Sequence, residues 1–384
     1  MRPKMTNNRP MRVLHIMSGF GGGISTFIMN VASQIHNYNI QFDVVTYDEV
    51  SPSFLEMIHH TGGDVYTLKN PKKEGWKAFV NSYTKVLDLY HYDAIHCHIS
   101  GYRALVYKSL ARSYNIKKFY IHAHHIPESE SSGIKENVQN AINQKINRFH
   151  SDGLVGCSSA AIKSVFGYDV PINQMMRIPN SIAMERFLYS DQERKILRRA
   201  GRERFQLDSN QLIFGQIGRL NPIKNHELTL NVAKYMKERQ LPGKFIIAGE
   251  GDLKEKLQEQ IEQEGLQDYV QLIGRFEPIP DFFPMIDALI FPSHREGLGT
   301  VAIESQAAGV PVVMSRSIPV EADLGLSLIR RLDIHQSPAE WYEALVFMSQ
   351  KQELSVKMRE EAVKYHQYTN EEAARLYARF ILEK

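Results

Sequence analysis

The chain has 384 residues, with 46 lysines and arginines against 43 aspartates and glutamates, for a formal net charge of +3. That length exceeds one ordinary core and favours two domains of about 150–200 residues. The small net charge, with no array of aromatic and basic side chains, argues against nucleic-acid binding.

Cysteine usage and hydropathy bear on the compartment. The two cysteines, Cys97 and Cys157, read as reduced buried thiols, because no secretory signal peptide is evident. No run reaches the roughly 18 apolar residues that a spanning helix needs. We therefore predict a cytoplasmic protein.

Short apolar runs alternate with helix-length amphipathic segments through the first half of the chain. Helices are predicted over segments such as 23–38 and 75–90. This order is typical of a doubly wound α/β domain, which we place at 1–188. The runs predicted as buried parallel strands are RVLHIMS (12–18), FDVVTYD (42–48), AIHCHIS (94–100), FYIHAHH (119–125) and DGLVGCS (152–158).

The second half repeats the pattern over 211–369. The segment between the halves, 189–210, is strongly charged and is predicted to be a linker. A terminal amphipathic helix, 370–384, could pack on the second domain or cross back to the first. The fold class is therefore α/β, with two Rossmann-like doubly wound domains facing a central cleft. The predicted strands of the second domain are LIFGQIG (212–218), KFIIAGE (244–250), YVQLIG (269–274), ALIFPS (288–293) and VPVVMS (310–315).

The first candidate ligand loop is SGFGGGIST (18–26), between a strand and a helix. Its glycines, Gly21, Gly22 and Gly23, would let backbone N–H groups approach an anion at the helix N-terminus. A dinucleotide fingerprint would need a third glycine where Ile24 stands, which weakens a nicotinamide oxidoreductase as an alternative. Two acids at the distance of a ribose-binding carboxylate, Asp43 and Asp48, keep that alternative open.

The second candidate loop is IGRLNPIKNHE (217–227), where another strand ends. Arg219 and Lys224 follow Gly218 and can converge on one anion, the first as a planar fork and the second as a point charge. Asn225 is placed to cap the next helix. A third loop has Gly249 and Gly251 at a strand end, where a plain turn and a nucleoside contact are equally open readings.

The stretch SHREGLGTVAIESQAAGVP (293–311) combines a glycine bend with two acids, Glu296 and Glu304. The bend at Gly299 opens a helix at Thr300, so its amides are suited to an anion. Ionised carboxylates are strong acceptors for hydroxyl hydrogens. We predict a division of labour in which amides and cations hold a diphosphate while the two acids hold sugar and ribose hydroxyls.

Together these motifs resemble the retaining family 4 glycosyltransferases of GT-B architecture, and the resemblance covers nearly the whole chain. It is carried by GR…KN, GEG and EGLGTVAIE, with seven residues between the two glutamates. DAIHCH (93–98), PNSI (179–182) and SIPVEADL (317–324) also fit, the last being similar to members that build bacterial capsular and extracellular polysaccharide.

The resemblance implies transfer of a sugar from a nucleotide donor, UDP-linked, to a saccharide or polyprenyl-linked acceptor with retention of configuration. Glu296 would contact the donor sugar, Glu304 the ribose, and the basic pair the diphosphate, without a further cofactor. The amides of Gly299, Thr300 and Val301 would assist. An N-terminal histidine would contact the donor sugar; His122, His124 and His125 are candidates, and strand alternation favours His124.

A metal site is the competing interpretation of the histidine-rich stretches HCH and HAHH. Cys97 would point away from its neighbours His96 and His98 if that run is a strand. No Asp-x-Asp motif occurs to place a divalent cation on a diphosphate. We therefore predict no metal, with cationic side chains and helix dipoles as the positive groups.

Two other functions remain open at this point: a sugar-nucleotide epimerase of the same architecture, and an inactive donor-binding subunit of a polysaccharide assembly complex. Association with the inner membrane surface could come through RKILRRAGRERF (194–205). A solvated linker helix is an equal reading of that run.

Overall fold

The computed structural model describes residues 9–126 and 134–383. They form two compact units: one runs up to Ser181 and resumes at Thr369, and the other is Ile182–Tyr368. Each unit is built around one parallel sheet, in agreement with the doubly wound α/β prediction.

The first unit has seven parallel strands in the order β3-β2-β1-β4-β5-β6-β7. Successive strands are joined through helices, which suits parallel pairing because a crossover connection needs a dozen or more residues. The strands are β1 (Met11–Ile16), β2 (Ile40–Thr46), β3 (Val65–Thr67), β4 (Ala94–Cys97), β5 (Lys118–Ala123), β6 (Leu154–Gly156) and β7 (Met175–Arg177). Its helices up to Ser181 are α1 (Gly23–Ile35), α2 (Pro52–His60), α3 (Pro71–Glu74), α4 (Trp76–Leu89), α5 (Tyr102–Ala111), α6 (Ile134–His150) and α7 (Ser159–Phe166).

The second unit has six parallel strands in the order β10-β9-β8-β11-β12-β13. Its core surrounds the fully buried Trp341. The strands are β8 (Ile213–Ile217), β9 (Lys244–Ala248), β10 (Val270–Gly274), β11 (Ala288–Phe291), β12 (Val312–Ser315) and β13 (Ile329–Leu332). The helices are α8 (Asp191–Arg204), α9 (His226–Glu238), α10 (Lys254–Gln263), α11 (Thr300–Ala307), α12 (Pro338–Ser349) and α13 (Val356–Tyr365).

The last helix, α14 (Asn370–Glu383), belongs to the first unit. Its apolar face, including Tyr377 and Phe380, joins the same buried cluster as Phe27 and Val31 of α1. The sequence left two positions open for this helix, and packing beside α1 is the one that the structure shows.

The segment predicted as a linker, 189–210, is instead part of the second unit. Helix α8 begins with a capping box between Ser190 and Glu193. Arg202 is 3% exposed, donates to the carbonyl oxygen of Met285 (3.0 Å) and pairs with Asp287 (3.0 Å). Arg198 also pairs with Asp287 (2.6 Å). Two arginines of the basic run therefore form ion pairs within the second unit.

Candidate active site

The carboxyl ends of four neighbouring strands of the second unit meet through their backbones. The amide of Gly249, after β9, donates to the carbonyl of Gly274, which ends β10 (2.8 Å). The amide of Gly218, after β8, donates to the carbonyl of Ala248 (3.0 Å). The backbone amide of His294, after β11, donates to the carbonyl of Ile223 (2.9 Å). Such edges are where open α/β sheets bind ligands.

Gly249 and Gly251 are required by close backbone contact. A Cβ on Gly249 would lie 1.9 Å from the carbonyl oxygen of Gly218, and one on Gly251 would lie 2.4 Å from that of Leu220. Real Cβ atoms do not approach oxygen so closely, so the two loops can meet only because both positions are glycine. Whether they also contact a nucleoside stays a prediction.

We expect Gly249→Ala to destabilise the second unit by about 1–3 kcal/mol, because an extra methyl group must push the Gly218 loop aside. Nucleotide binding should weaken in parallel, since that loop carries Arg219. Urea unfolding and calorimetry measure the two effects. Gly325→Ala is the matched control: its φ is +70° but its Cβ meets nothing within 4 Å. Equal losses in both variants would contradict the steric explanation.

Lys224 and Glu296 form an ion pair at this edge, with Nζ and Oε1 2.5 Å apart. Their side chains are only 18% and 16% exposed. Lys224 ends a short helical turn, and Asn225 caps α9 by accepting from the amide of Leu228, as the sequence predicts. The pair brings together two of the residues predicted to handle opposite parts of one ligand.

Arg219 lies exposed on the loop after β8, five residues before Lys224. Its carbonyl oxygen accepts from the amide of Asn221 (2.8 Å), which turns the chain towards Lys224. The predicted basic pair therefore shares one loop of the second unit.

Helix α11 starts at Thr300, with Gly299 as its N-cap in the left-handed region (φ 89°). Val301 is the second residue of the helix, so the predicted amides lie at its positive end. A side chain at Gly299 would meet Ile318, its Cβ lying 2.8 Å from that residue.

Glu304 is one turn into α11, and its protonation state differs from the sequence-based expectation. Burial raises the pKa of Glu304 to about 8, although the positive charge of Arg186 acts in the opposite direction. At neutral pH the carboxyl group is therefore mostly protonated rather than ionised. A protonated carboxyl both donates and accepts a hydrogen bond, so it suits a pair of neighbouring hydroxyls as well as a single one.

In the first unit, Gly21, Gly22 and Gly23 form the predicted bend at the start of α1. The amide of Gly22 donates to Ser25 Oγ (3.1 Å), and Asp48 accepts from the amide of Phe20 (3.0 Å).

The same unit accounts for Asp43, one of the acids that kept a dinucleotide reading open. Its carboxylate is buried against Arg12 (2.6 Å) and accepts from the amide of Asp64 (2.8 Å). Asp43 is thus a structural acid, which removes one support from the oxidoreductase alternative.

The candidate histidines separate by strand alternation. His122 is buried on β5 and His124 follows on the same face, with ring centroids 4.1 Å apart, whereas His125 is exposed. Ring nitrogens of His96, His98 and His122 lie within 4.8 Å of one another, so the structure does draw together a group of metal-ligand type. The prediction that no metal binds stays a prediction.

Sequence reasoning missed three residues around these histidines: His15, Asn180 and Tyr377. Tyr377 Oη forms a hydrogen bond with His15 Nε2 (3.0 Å). The Asn180 side chain lies beside His124 and opposes the lowering of its pKa by burial. His15 could have been found, because it occupies an inward position of β1 beside the HCH strand. Tyr377 lies more than 360 residues from His15, and only tertiary structure brings it there.

Among the helices that the described residues form, none combines the length and apolar character needed to cross a bilayer.

Comparison with known families gives two matches that divide the chain. Residues 21–186 match the model "Glycosyltransferase Family 4", and residues 198–365 match "Glycosyl transferases group 1". EpsF of Bacillus subtilis (strain 168), named as a glycosyltransferase, is 28% identical over 348 residues, which cover 88% of each chain.

Solved structures show the same fold. HepE of Anabaena, crystallised with UDP and glucose, superposes with a TM-score of 0.77 at 16% identity, over 97% of this chain and 100% of that one. WaaG, a glycosyltransferase involved in lipopolysaccharide biosynthesis, gives a TM-score of 0.69 at 14% identity, with coverages of 97% and 100%. Because one family model matches each half of the chain and EpsF is similar over 88% of it, the chain is a glycosyltransferase, and the solved structures show that its fold is GT-B.

Proposed function

We propose that this glycosyltransferase takes its sugar from a UDP-sugar and transfers it, with retention of configuration, to a saccharide or lipid-linked saccharide in exopolysaccharide synthesis. The main support for the donor site is that the Gly218 loop, Lys224 and Glu296 lie together at one edge of the second unit's sheet. Cations for a diphosphate and an acid for a sugar are thereby side by side.

The names of the relatives support the donor and the pathway. The HepE structures contain UDP, and one contains UDP-glucose. An Escherichia coli relative, 30% identical over 145 residues, is named as a UDP-Gal galactosyltransferase acting on a diphosphoundecaprenol-linked GlcNAc. These statements concern those proteins and give the present chain its proposed donor and acceptor class.

In the proposed mechanism, Arg219, Lys224 and the N-terminal amides of α11 stabilise the charge that develops on the leaving diphosphate. Groups already oriented towards a developing charge stabilise a transition state most. Glu296 binds a sugar hydroxyl and Glu304 binds the ribose. Retention would follow from front-face attack, with the leaving phosphate helping to deprotonate the acceptor hydroxyl. His124 keeps its proposed place beside the donor sugar.

A thermal-shift panel of nucleotide sugars tests the donor. Binding to the folded state alone stabilises it by about 2.7 kcal/mol at a ligand concentration of 100 Kd. A unit of this size then melts roughly 2–4 °C higher for each kcal/mol. We expect UDP and one UDP-sugar to raise the melting temperature, and GDP-sugars and NAD to leave it unchanged. A shift with NAD and none with UDP would contradict the proposal.

Product analysis with a radiolabelled donor tests the reaction type. A new glycoside of unchanged anomeric configuration supports retaining transfer. An epimerised nucleotide sugar with no glycoside would favour an epimerase, and turnover no faster than that of Lys224→Ala would favour an inactive subunit. Sedimentation with anionic vesicles separately tests membrane-surface association.

A further inference from the structure

Five histidines of the first unit, four of them buried and His124 partly buried, lie on one face of its sheet, between α1 and α14. Their rings stack in succession, with centroids 4.1–5.3 Å apart for neighbouring rings. Tyr377 of α14 is fully buried among them. The set, called the histidine relay below, consists of His15, His96, His98, His122, His124 and Tyr377.

The relay is one unbroken chain of hydrogen bonds. Each internal ring nitrogen has one partner inside the set, and the tyrosine hydroxyl bridges the two halves. In order from one end, the bonds join His122 Nδ1 to His96 Nε2 (3.1 Å), His96 Nδ1 to Tyr377 Oη (3.2 Å), Tyr377 Oη to His15 Nε2 (3.0 Å), His15 Nδ1 to His98 Nε2 (2.9 Å), and His98 Nδ1 to His124 Nε2 (2.8 Å).

The histidines of the relay are neutral at physiological pH. Burial lowers the pKa of His96 and that of His124 to about 3. Burial, with the other relay rings adding repulsion, also lowers the pKa of His15, His98 and His122 well below its ordinary value. A neutral imidazole has one N–H donor and one acceptor nitrogen.

Counting protons then fixes the tautomers. The six groups carry one mobile proton each, and the five hydrogen bonds hold one proton each. The sixth proton must sit on an end atom, either His122 Nε2 or His124 Nδ1. Every hydrogen bond links the Nδ1 of one ring to the Nε2 of the next, either directly or through the tyrosine hydroxyl. A ring that donates from Nε2 accepts at Nδ1, so the next ring must also donate from Nε2. All five histidines must therefore share one tautomer.

The surroundings of the two ends choose between the tautomers. Neither end atom has a hydrogen-bond partner. Burial lowers the pKa of both rings, and the backbone of Ile178 beside His122 and the side chain of Asn180 beside His124 oppose that shift. A carbonyl can only accept. The Asn180 amide can turn by 180° in the same space and present its NH₂ instead. Protonation at His122 Nε2 therefore places a donor beside the Ile178 backbone and an acceptor, His124 Nδ1, beside the Asn180 amide.

We propose that the histidine relay is held in the all-Nε2–H state and so fixes His124 Nδ1 as an acceptor and turns the Asn180 carbonyl towards the glycine bend, where it can receive a sugar hydroxyl. Asn180 lies against the glycine bend, since a Cβ on Gly23 would be 3.2 Å from its amide nitrogen. The ligand group implied is a neutral sugar hydroxyl, because the relay carries no net charge. This use of the relay rests on the proposed glycosyltransferase reaction; the shared tautomer does not.

Tyr377→Phe tests the relay by cutting it in the middle. His15 Nε2–H would lose its acceptor, and a buried N–H without a partner is costly. We expect His15, His98 and His124 to change to the Nδ1–H tautomer, while His96 and His122 keep Nε2–H. Nitrogen-15 NMR of histidine-labelled full-length protein distinguishes the two tautomers and the charged form.

Tyr120→Phe is the matched control, because Tyr120 is also buried beside His96 but its hydroxyl has no hydrogen-bond partner. It should leave all five tautomers unchanged. Mixed tautomers in the wild type, or an unchanged pattern in folded Tyr377→Phe, would overturn the relay. So would a stoichiometric shift of the His96, His98 and His122 signals on adding Zn²⁺, because those nitrogens would then be metal ligands.

Turnover separates the relay from the proposed function. If both hold, kcat/KM falls about tenfold in Tyr377→Phe, the equivalent of one hydrogen bond, and stays unchanged in Tyr120→Phe. If the wild type transfers no sugar while the tautomer pattern is as predicted, the function fails and the relay stands. If the wild type is active and Tyr377→Phe matches it, the sugar-orienting role is overturned.

Discussion

Lys224→Ala is expected to weaken UDP binding by about 2–4 kcal/mol, roughly 30- to 1000-fold. The variant loses a charge-assisted contact to the diphosphate. It also leaves Glu296, whose side chain is 16% exposed, as an unpaired anion at the same edge. Removing one partner of a poorly solvated ion pair generally costs this much. Calorimetry with UDP measures the change directly.

Glu296→Gln separates the two contributions. If the unpaired carboxylate causes much of the loss, the double variant Lys224→Ala with Glu296→Gln should recover about half of the binding free energy lost by Lys224→Ala alone. Lys357→Ala, which removes an exposed lysine from α13, should bind UDP as the wild type does. Unchanged affinity in Lys224→Ala would remove Lys224 from the donor site.

Acidification is expected to destabilise the first unit steeply below about pH 6.5. The five relay histidines have a lowered pKa in the folded state, whereas in the unfolded chain each titrates near 6.5. Below that pH the unfolded chain binds more protons, so stability falls as pH falls. Each histidine that stays neutral contributes about 1.4 kcal/mol per pH unit. Urea unfolding at pH 7.5, 6.5 and 5.5 measures the slope.

Two variants calibrate that slope. His15→Gln should reduce the dependence of the unfolding free energy on pH by about one proton, or about 1.4 kcal/mol per pH unit. His91→Gln, at an exposed position, should leave that dependence unchanged. The raised pKa of Glu304 gives the second unit the opposite dependence, with stability lost as pH rises from about 4.5 towards 8. Equal stability of the first unit at pH 7.5 and 5.5 would contradict the buried neutral histidines.

The ten strands predicted from apolar runs are all present, because buried parallel strands are continuously hydrophobic. The three missed strands, Val65–Thr67, Met175–Arg177 and Ile329–Leu332, are edge strands. They are three or four residues long and partly exposed, so they lack that signal.

The candidate site divides in the same way. Loops such as 217–227 could be placed because glycine, proline and cation spacing is local information. Three features could not be predicted from the sequence. They are the pairing of Lys224 with Glu296, the burial that protonates Glu304, and the ion pair between Arg202 and Asp287. Each feature depends on which strands become neighbours in the sheet. The pKa of a charged group then depends on how much water the neighbouring residues exclude from it.

The return of α14 to the first unit has a consequence for biosynthesis. During translation, the second unit can complete its sheet and close its core as a continuous segment of chain. The first unit cannot, because Tyr377 and Phe380 of its core leave the ribosome only after the whole of the second unit. Its strands, which are made earlier, must wait, with the apolar side of α1 uncovered, until α14 emerges. Of the two units, the one whose synthesis starts first is therefore the one that completes its core second.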